Sequence, residues 1–430
     1  MSGVFIRRFL AINGLLLSSS RRTLWRGNRF NLLVCLTSVL VVTTTHARDY
    51  EPIDGAAIEL GGFSLYPSLN MQHYYDSNII RAGQDESDSW IRVIEPQVTL
   101  VNEFDANRIQ FGYRLSDGHY YSSNTDHFTD HFFSTQLDLY ANQSHRFELS
   151  GAYEIGHDAR GTVFSIGTGS QLATPDEYKQ TQVDGQYFFG TEDATGRVEI
   201  NINHTQLDYD LSTPRYLARD RDFLRFAGTF YYRVAPATDA LIELRTTQVN
   251  YAVASDRNNP LDSTVNSVLL GLRWNSNANT AGFAKVGYQQ KNFDSPLRPD
   301  FTGLDWNAGI DWTPVERTFF RLSTARDTFE TNGEGNFIDS RSIALTWRHS
   351  WLDRLRSSLT AQYAKNAYEG NTDGFFRRDD NVYALSGQLD YEFRRWLTAQ
   401  LGYQYEQRDS NRLSIDYDRH VFNFNIKVTL

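Results

Sequence analysis

Apolar and polar residues alternate along nearly the whole chain after residue 61. Every second residue is apolar in 63–71, and the same two-residue period recurs in 109–115, 304–312 and 397–405. A period of two sustained over about ten residues indicates β-strands with one apolar and one polar face. The pattern therefore predicts an all-β chain built of long, two-faced strands.

Two kinds of connector separate these strands. Short connectors are predicted at 105–107, 143–145, 236–238, 276–278, 314–316 and 394–395. Long polar connectors are predicted at 76–89, 116–129, 157–177, 210–221, 255–262, 293–300, 366–378 and 408–419. Alternation of short turns with long loops is typical of a transmembrane antiparallel up-and-down β-barrel, and the spacing predicts about 18 strands.

The last strand supports a closed barrel. From Phe422 to Leu430 every second residue is apolar, and this face is expected to contact lipid. A strand with an unpaired edge is excluded from hydrocarbon, because no water is present there to satisfy its backbone groups. We therefore expect the strand from His420 to pair both with its predecessor and with the first strand near Phe63. Both termini would then lie at the periplasmic, short-turn side.

Two soluble folds compete with the barrel. Repeats of roughly 40 residues occur in β-propellers, but propeller blades contain four short strands, and the strands here are about twice as long. A β-sandwich would also alternate, but it would not require long loops at one end only. The barrel explains strand length and loop asymmetry together.

The first 47 residues differ from the rest of the chain. They contain six arginines and no acidic residue, followed by an apolar run at 30–42 and Thr45–His46–Ala47. A basic region, an apolar region and small residues before a cleavage point predict a secretory signal peptide over 1–47. Residues 48–60 are expected to form a short periplasmic segment, and 61–430 the barrel. A membrane anchor would need a longer apolar run, and a lipoprotein at Cys35 would need a small residue before it.

Composition narrows the range of partners. The chain is acidic, with a formal net charge of −10, which argues against nucleic acid as a partner. Its single cysteine, Cys35, lies in the predicted signal peptide, so the exported chain would carry no thiol to oxidise. Outer-membrane lipids are the expected surroundings of the barrel.

The inside of the barrel is expected to be a water-filled channel. A barrel of about 16–18 strands encloses an aqueous bore unless something plugs it. Charges on the polar face are balanced, which predicts no strong ion filter, and inner aromatic rings could either stack on sugars or fill the wall. The longest predicted loop, 157–177, could at most fold inward. The candidate path residues are Tyr66, Tyr74, Asp76, Asn78, Arg114, Asp117, Phe132, Tyr140, Arg160, Asp184, Tyr231, Arg233 and Asp305.

Three stretches carry a resemblance to a known family. They are YYDSNI at 74–79, YRLSDGHYYSSNTDHFTDHFF at 113–133, and HDARGT followed by SQLATPDEY within 157–178. With the signal peptide and strand rhythm, the chain resembles the outer-membrane β-barrel porins encoded in exopolysaccharide and capsule operons of Gram-negative bacteria. That resemblance implies an outer-membrane channel for secreted polysaccharide, supplied by a periplasmic polysaccharide-export protein.

Other chemistry finds little support in the sequence. His127 and His131 lie four residues apart, which in a strand is about 13 Å and too far to chelate one ion. No nucleophile accompanies His119 or His157, and no phosphate-binding loop or zinc spacing is present, so neither an enzyme nor a cofactor is expected. The acidic run 85–88 is expected to be a solvated loop. An uptake porin for small solutes is the main alternative, with a barrel enzyme or adhesin as a third hypothesis.

Overall fold

The computed structural model describes residues 55–210, 219–252, 259–275, 279–370 and 376–430. The predicted signal peptide and residues 48–54 of the predicted periplasmic segment lie outside this part of the chain. The short connector at 276–278 also lies outside it, as do residues 253–254 and residues 211–218, 255–258 and 371–375 of three predicted long loops.

The described chain forms one antiparallel sheet that closes on itself. A short strand, β1 (Ile58–Leu60), precedes eighteen long strands. These are β2 (Phe63–Asp76), β3 (Ser89–Phe104), β4 (Asn107–Tyr120), β5 (Phe128–Asn142), β6 (His145–Asp158), β7 (Asp176–Phe189), β8 (Gly196–Tyr209), β9 (Arg221–Ala235), β10 (Thr238–Tyr251), β11 (Ser263–Asn275), β12 (Thr280–Phe293), β13 (Phe301–Val315), β14 (Thr318–Glu330), β15 (Phe337–Leu352), β16 (Leu355–Glu369), β17 (Asp379–Arg394), β18 (Leu397–Ser410) and β19 (Tyr417–Thr429). Four short 3₁₀ turns lie in the loops: Asn124–Asp126, Val163–Ser165, Gly169–Gln171 and Leu413–Ile415.

The predicted closure of the barrel is confirmed. Strand β19 pairs with β18 along most of its length and with β2 on its other side, from Val421 opposite Asp76 to Thr429 opposite Ser68. Below that point β2 pairs with β1 instead, with Ile58 opposite Leu65. The predicted periplasmic segment therefore contributes a short strand that covers the exposed edge of β2.

The strands are longer than the sequence pattern suggested. They run for 13 to 16 residues, whereas about 9–11 residues suffice to cross a membrane. The extra residues come from predicted loops: β4 continues to Tyr120, β16 to Glu369 and β18 to Ser410. In the β4 and β18 extensions polar residues occur on both faces, so the alternation that marks a membrane-crossing strand is lost although backbone pairing continues.

The two faces of the wall are as the alternation predicts. Phe424 is 43 % exposed on the outer surface, whereas its neighbour Asn425 is 2 % exposed and donates a hydrogen bond to Gln400 inside. Large apolar side chains such as Leu270 and Val286 likewise face outward. Within the described residues, no helix has the length and apolar composition required to cross a bilayer.

The two rims of the barrel differ. One rim, here called the short-turn end, carries connections such as 105–106, 143–144 and 316–317; the other, the long-loop end, carries 77–88, 121–127 and 159–175. Three connections were not anticipated, and one of them is the two-residue turn 353–354 at the short-turn end. Residues 190–195 form a six-residue turn at the short-turn end, and residues 331–336 form a loop at the long-loop end.

Candidate functional site

Most of the predicted path residues face the interior. Strand register and alternation place ten of them on the inner wall: Tyr66, Tyr74, Asp76, Arg114, Phe132, Tyr140, Asp184, Tyr231, Arg233 and Asp305. Asn78 and Arg160 lie in loops at the long-loop end. Asp117 does not belong with them. It shares the outward face of β4 with Phe111 and accepts a hydrogen bond from Thr129 at 3.2 Å, so its prediction as a lumen residue was wrong.

These residues do not form one compact site. Tyr140 lies at the short-turn end, under the guanidinium of Arg146 at 5.1 Å from the ring centre. Arg114 and Phe132 face each other across β4 and β5, with the guanidinium 5.2 Å from the ring centre. The candidates are therefore spread along the wall rather than gathered around a single ligand position.

Ion pairs that skip over strands cover part of the inner wall. The Arg245 guanidinium on β10 lies 2.5 Å from the Asp305 carboxylate on β13. Lys285 on β12 bonds Glu243 on β10 at 2.7 Å. Adjacent strands are joined as well, since Arg233 of β9 donates to Asp239 of β10 at 2.6 Å. Because each charge has a partner of opposite sign, the wall is polar without a single dominant charge.

Asp76 holds the seam between the first and last long strands. Its carboxylate accepts hydrogen bonds from Arg419 of β19 at 2.6 to 3.0 Å, and it is only 3 % exposed. The next residue extends the junction, because the Ser77 amide donates to the His420 carbonyl and the Ser77 hydroxyl accepts from the His420 amide. This part of YYDSNI is thus a structural clasp at the long-loop end.

Asn78 shapes the loop that follows the clasp. Its side chain is fully buried; it donates to the carbonyls of Ala82 and Asp418 and accepts from the Ala82 amide. Asn78 reaches back across the seam in this way and closes a tight five-residue turn. Both Asp76 and Asn78 have buried structural partners, so the sequence signal at this motif reflects barrel closure.

The β2–β3 loop turns into the barrel mouth. Ile79 and Ile80 are each 5 % exposed and pack on the inward-facing Ile91 and Val93 and on Tyr120. Burying each isoleucine contributes roughly 1.5–3 kcal/mol relative to leaving it in water. This apolar cluster narrows the interior beneath β3 and β4.

The β6–β7 loop, residues 159–175, contacts two other loops over the mouth. It begins against the β2–β3 loop, where Gly161 has φ +82° and a Cβ atom would lie 1.8 Å from the Ile80 carbonyl oxygen. It reaches the β14–β15 loop, where the Asn332 side-chain amide donates to the Val163 carbonyl at 3.2 Å. Gly161 and Val163 are only two residues apart, and strand β15 lies halfway round the ring from β6, so loops from three parts of the ring meet over the bore.

Side chains anchor the β6–β7 loop at two further points. Arg160 donates two hydrogen bonds to Asp126 of the β4–β5 loop, at 2.8 and 2.5 Å, and this pairing raises the pKa of the Arg160 guanidinium above its usual value. The Arg219 guanidinium lies 3.7 Å from the centre of the Phe164 ring. Arg160 was predicted as a path residue, and its observed contacts are those of an anchor.

A second set of loop contacts was not foreseen. Glu334 of the β14–β15 loop bonds Arg378 at 3.2 Å and Arg412 at 2.5 Å, and Arg378 also pairs with the buried Asp380. These residues come from three loops separated by up to about 80 positions in sequence. No local pattern signals such contacts, because they exist only once the ring has closed.

The histidines do not form a metal site. His131 contacts the Tyr113 hydroxyl through Nδ1 at 3.0 Å, while the His127 ring stacks on His119 at 4.2 Å. In the described parts of the chain, no three His, Cys, Asp or Glu side chains converge to hold a metal ion. What the interior offers chemically is a set of hydrogen-bonding and charged groups along a passage narrowed at one end.

Comparison with known proteins supports this architecture. Residues 51–430 match the protein family described as Putative beta-barrel porin 2. No curated protein matches the sequence. Among solved structures, Pseudomonas aeruginosa OpdK with vanillate is similar at 12 % identity and a TM-score of 0.47, over 85 % of this chain and 99 % of that one.

Two other solved structures are similar at the same distant level. Pseudomonas aeruginosa OccK5 (OpdH) shares 10 % identity at a TM-score of 0.47, over 85 % of this chain and 98 % of that one. The FrpB iron transporter from Neisseria meningitidis shares 10 % identity at a TM-score of 0.44, over 80 % of this chain and 62 % of that one. Likenesses this distant do not indicate what this chain transports.

Proposed function

Because the chain belongs to the family described as Putative beta-barrel porin 2, we propose that it is an outer-membrane channel through which small hydrophilic solutes diffuse. The observation that carries the proposal is the meeting of three loops over the mouth, where the β6–β7 loop contacts Ile80 of the β2–β3 loop at Gly161 and Asn332 of the β14–β15 loop at Val163. Loops that meet over the bore obstruct a continuous polymer more than they obstruct compact solutes. The short-turn end, with both chain ends, would face the periplasm.

The inner wall fits passive passage. Paired charges such as Arg245 with Asp305 and Lys285 with Glu243 present hydrogen-bonding groups while leaving little net charge. A solute can exchange hydrogen bonds with such a wall without meeting a strong electrostatic barrier. We therefore infer a channel with weak ion selectivity and no chemical step.

Export of a polysaccharide is the second candidate function. The resemblance noted in the sequence favours it, and inward-facing rings at Tyr66, Phe132 and Tyr231 offer surfaces on which sugar rings could stack. This function would require the β6–β7 loop to leave the mouth, since the loop would otherwise obstruct a polymer. Its contacts with Asp126 and Asn332 oppose that movement.

Liposome swelling separates the two functions. Barrels reconstituted into liposomes would be exposed to sugars of increasing size, from monosaccharides to long oligosaccharides. We expect rapid swelling with monosaccharides and a steep loss of permeation as the sugar lengthens. Equal permeation of long oligosaccharides would contradict the small-solute proposal and support export. Empty liposomes and liposomes with heat-unfolded protein are the controls.

A further inference from the structure

The outward face of strands β3–β7 carries a groove of about 540 Å³ near the middle of the strands. The rings of Phe111, Phe133 and Tyr153 border it. The depression arises where Thr135 pairs with Gly151, because two small residues lie side by side in a surface otherwise covered by large side chains. The groove is thus an apolar slot on the surface that faces lipid.

A basic row lies on the same surface, closer to the long-loop end. Strand register places His73, Arg92 and His119 side by side on the outward faces of β2, β3 and β4. Arg92 is exposed, and among the described residues no carboxylate lies within ion-pair distance of its guanidinium. An unpaired cation on the outward face, towards the long-loop end of the strands, is well placed to bind an anion.

Aromatic rings hold the two histidines of the basic row in place. The Trp90 ring stacks on His73, with centroids 5.1 Å apart and planes within 13°. Tyr121 contacts His119 edge-on at 5.3 Å and His73 at 5.9 Å. Side chains fixed in this way lose little conformational entropy when they bind a ligand. The histidines on either side of Arg92 are therefore held in place before any ligand arrives.

The separation of row and groove matches the length of a lipid chain. Val98 at the groove lies six positions after Arg92 along β3, which is about 20 Å at ~3.3 Å per residue. Tilted by about 40°, the strand descends about 15 Å over that distance, which is half the ~30 Å hydrocarbon thickness of a bilayer. The outward residues between them, Ile94 and Pro96, present an apolar path.

We propose that a phosphorylated membrane lipid binds here, with its phosphate on Arg92 and the end of an acyl chain in the groove at Gly151. The guanidinium would pair with the phosphate, and the flanking imidazoles of His73 and His119 would donate further hydrogen bonds. Asp117 lies one row nearer the groove, held by Thr129, and keeps the phosphate towards Arg92. This inference is independent of which solute passes through the bore.

Native mass spectrometry of the detergent-purified barrel titrated with phosphatidylglycerol tests the headgroup contact. Arg92→Gln should weaken binding of the first lipid about tenfold, because one charge-assisted contact is lost. Lys365→Gln is the matched control, since Lys365 is an exposed outward cation on β16, far round the barrel from the groove on β3–β7. That variant should bind like the parent protein.

A second pair of variants tests the acyl-chain contact. Gly151→Val fills the groove and should also weaken binding about tenfold. Gly228→Val is its control, because a Cβ atom at outward-facing Gly228 meets nothing within 4 Å. Thr135→Leu fills the same groove from the neighbouring strand, and serves if Gly151→Val does not fold. Heat-dependent gel mobility reports folding of every variant.

The outcomes are distinct. Weaker binding in Arg92→Gln and in the groove variants, with both controls unchanged, supports the site. Equal binding by all variants overturns it, as does equal loss in the controls. Diacylglycerol, which lacks a phosphate, should bind at least tenfold more weakly; binding equal to that of phosphatidylglycerol overturns the role of Arg92.

Discussion

At the scale of single residues, position on the wall decides what a side chain does. Asp117 was expected to line the bore, yet it lies on the outward face of β4 beside Thr129. In the last few residues of β4 polar side chains occupy both faces, so alternation no longer separates inside from outside. Asp184 lies in the part of β7 where apolar and polar residues alternate. It faces the bore as predicted and accepts a hydrogen bond from Asn201 at 2.9 Å.

Phe424 and Asn425 provide a direct test of the two faces. Phe424→Asp would place a carboxylate in lipid and should cost up to about 2–4 kcal/mol of folding free energy. Asn425→Asp should cost less than about 1 kcal/mol, because the Gln400 amide can turn to donate to the new carboxylate. Urea unfolding in detergent micelles measures both, and equal losses would mean that the faces are assigned wrongly.

Arg160 tests whether a residue predicted to line the path is an anchor. Arg160→Ala removes both hydrogen bonds to Asp126 and should make the β6–β7 loop more mobile, giving frequent fluctuations in single-channel current. Arg321→Ala, which removes an exposed pair with Asp311 near the other end, should leave the recordings quiet. Unchanged recordings for Arg160→Ala would contradict the anchoring role.

At the scale of elements, the junction between β2 and β19 is the least ordinary part of the wall. Only nine residues of β19 pair with β2, since the lower part of β2 pairs with β1. The clasp of Asp76 and Arg419 fastens the opposite end of this shorter junction. A buried ion pair at the seam compensates for the reduced backbone pairing by fixing the register of first and last strands.

Breaking the clasp should therefore be costly. Asp76→Ala leaves the Arg419 guanidinium buried without its main partner and should cost about 3–5 kcal/mol of folding free energy. Asp311→Ala breaks a more exposed pair with Arg321 and should cost less than about 1 kcal/mol. Urea unfolding compares the two variants. A loss in Asp76→Ala no larger than in Asp311→Ala would show that the seam does not depend on the clasp.

At the scale of the whole molecule, the loops convert a wide ring into a narrow passage. The β2–β3 loop packs Ile79 and Ile80 inside the mouth, and the β6–β7 loop contacts Asn332 of the β14–β15 loop, which starts from the opposite side of the ring. The sequence singled out 157–177 as the loop able to fold inward, and the structure confirms that it does. Its partners on other loops were not predictable without the closed ring.

Shortening the β6–β7 loop tests its effect on the conductance of the channel. Replacing residues 162–172 with a short glycine–serine linker should raise single-channel conductance several-fold, because the bridge across the bore is removed. Shortening the turn at 190–195, at the opposite end, is the matched control and should leave conductance within error of the parent. Planar-bilayer recording measures both, and equal conductance in all three proteins would rule out the loop as the constriction.

The sequence by itself determined the strands, the faces and the closure of the ring. Alternation is a local property, and lipid admits one face pattern and no unpaired edge, so Phe422 to Leu430 already required a partner on each side. The tertiary structure alone decided where the loops meet. Contacts such as Val163 with Asn332, or Glu334 with Arg412, join residues far apart in sequence, and their energies depend on distances that only the closed barrel sets.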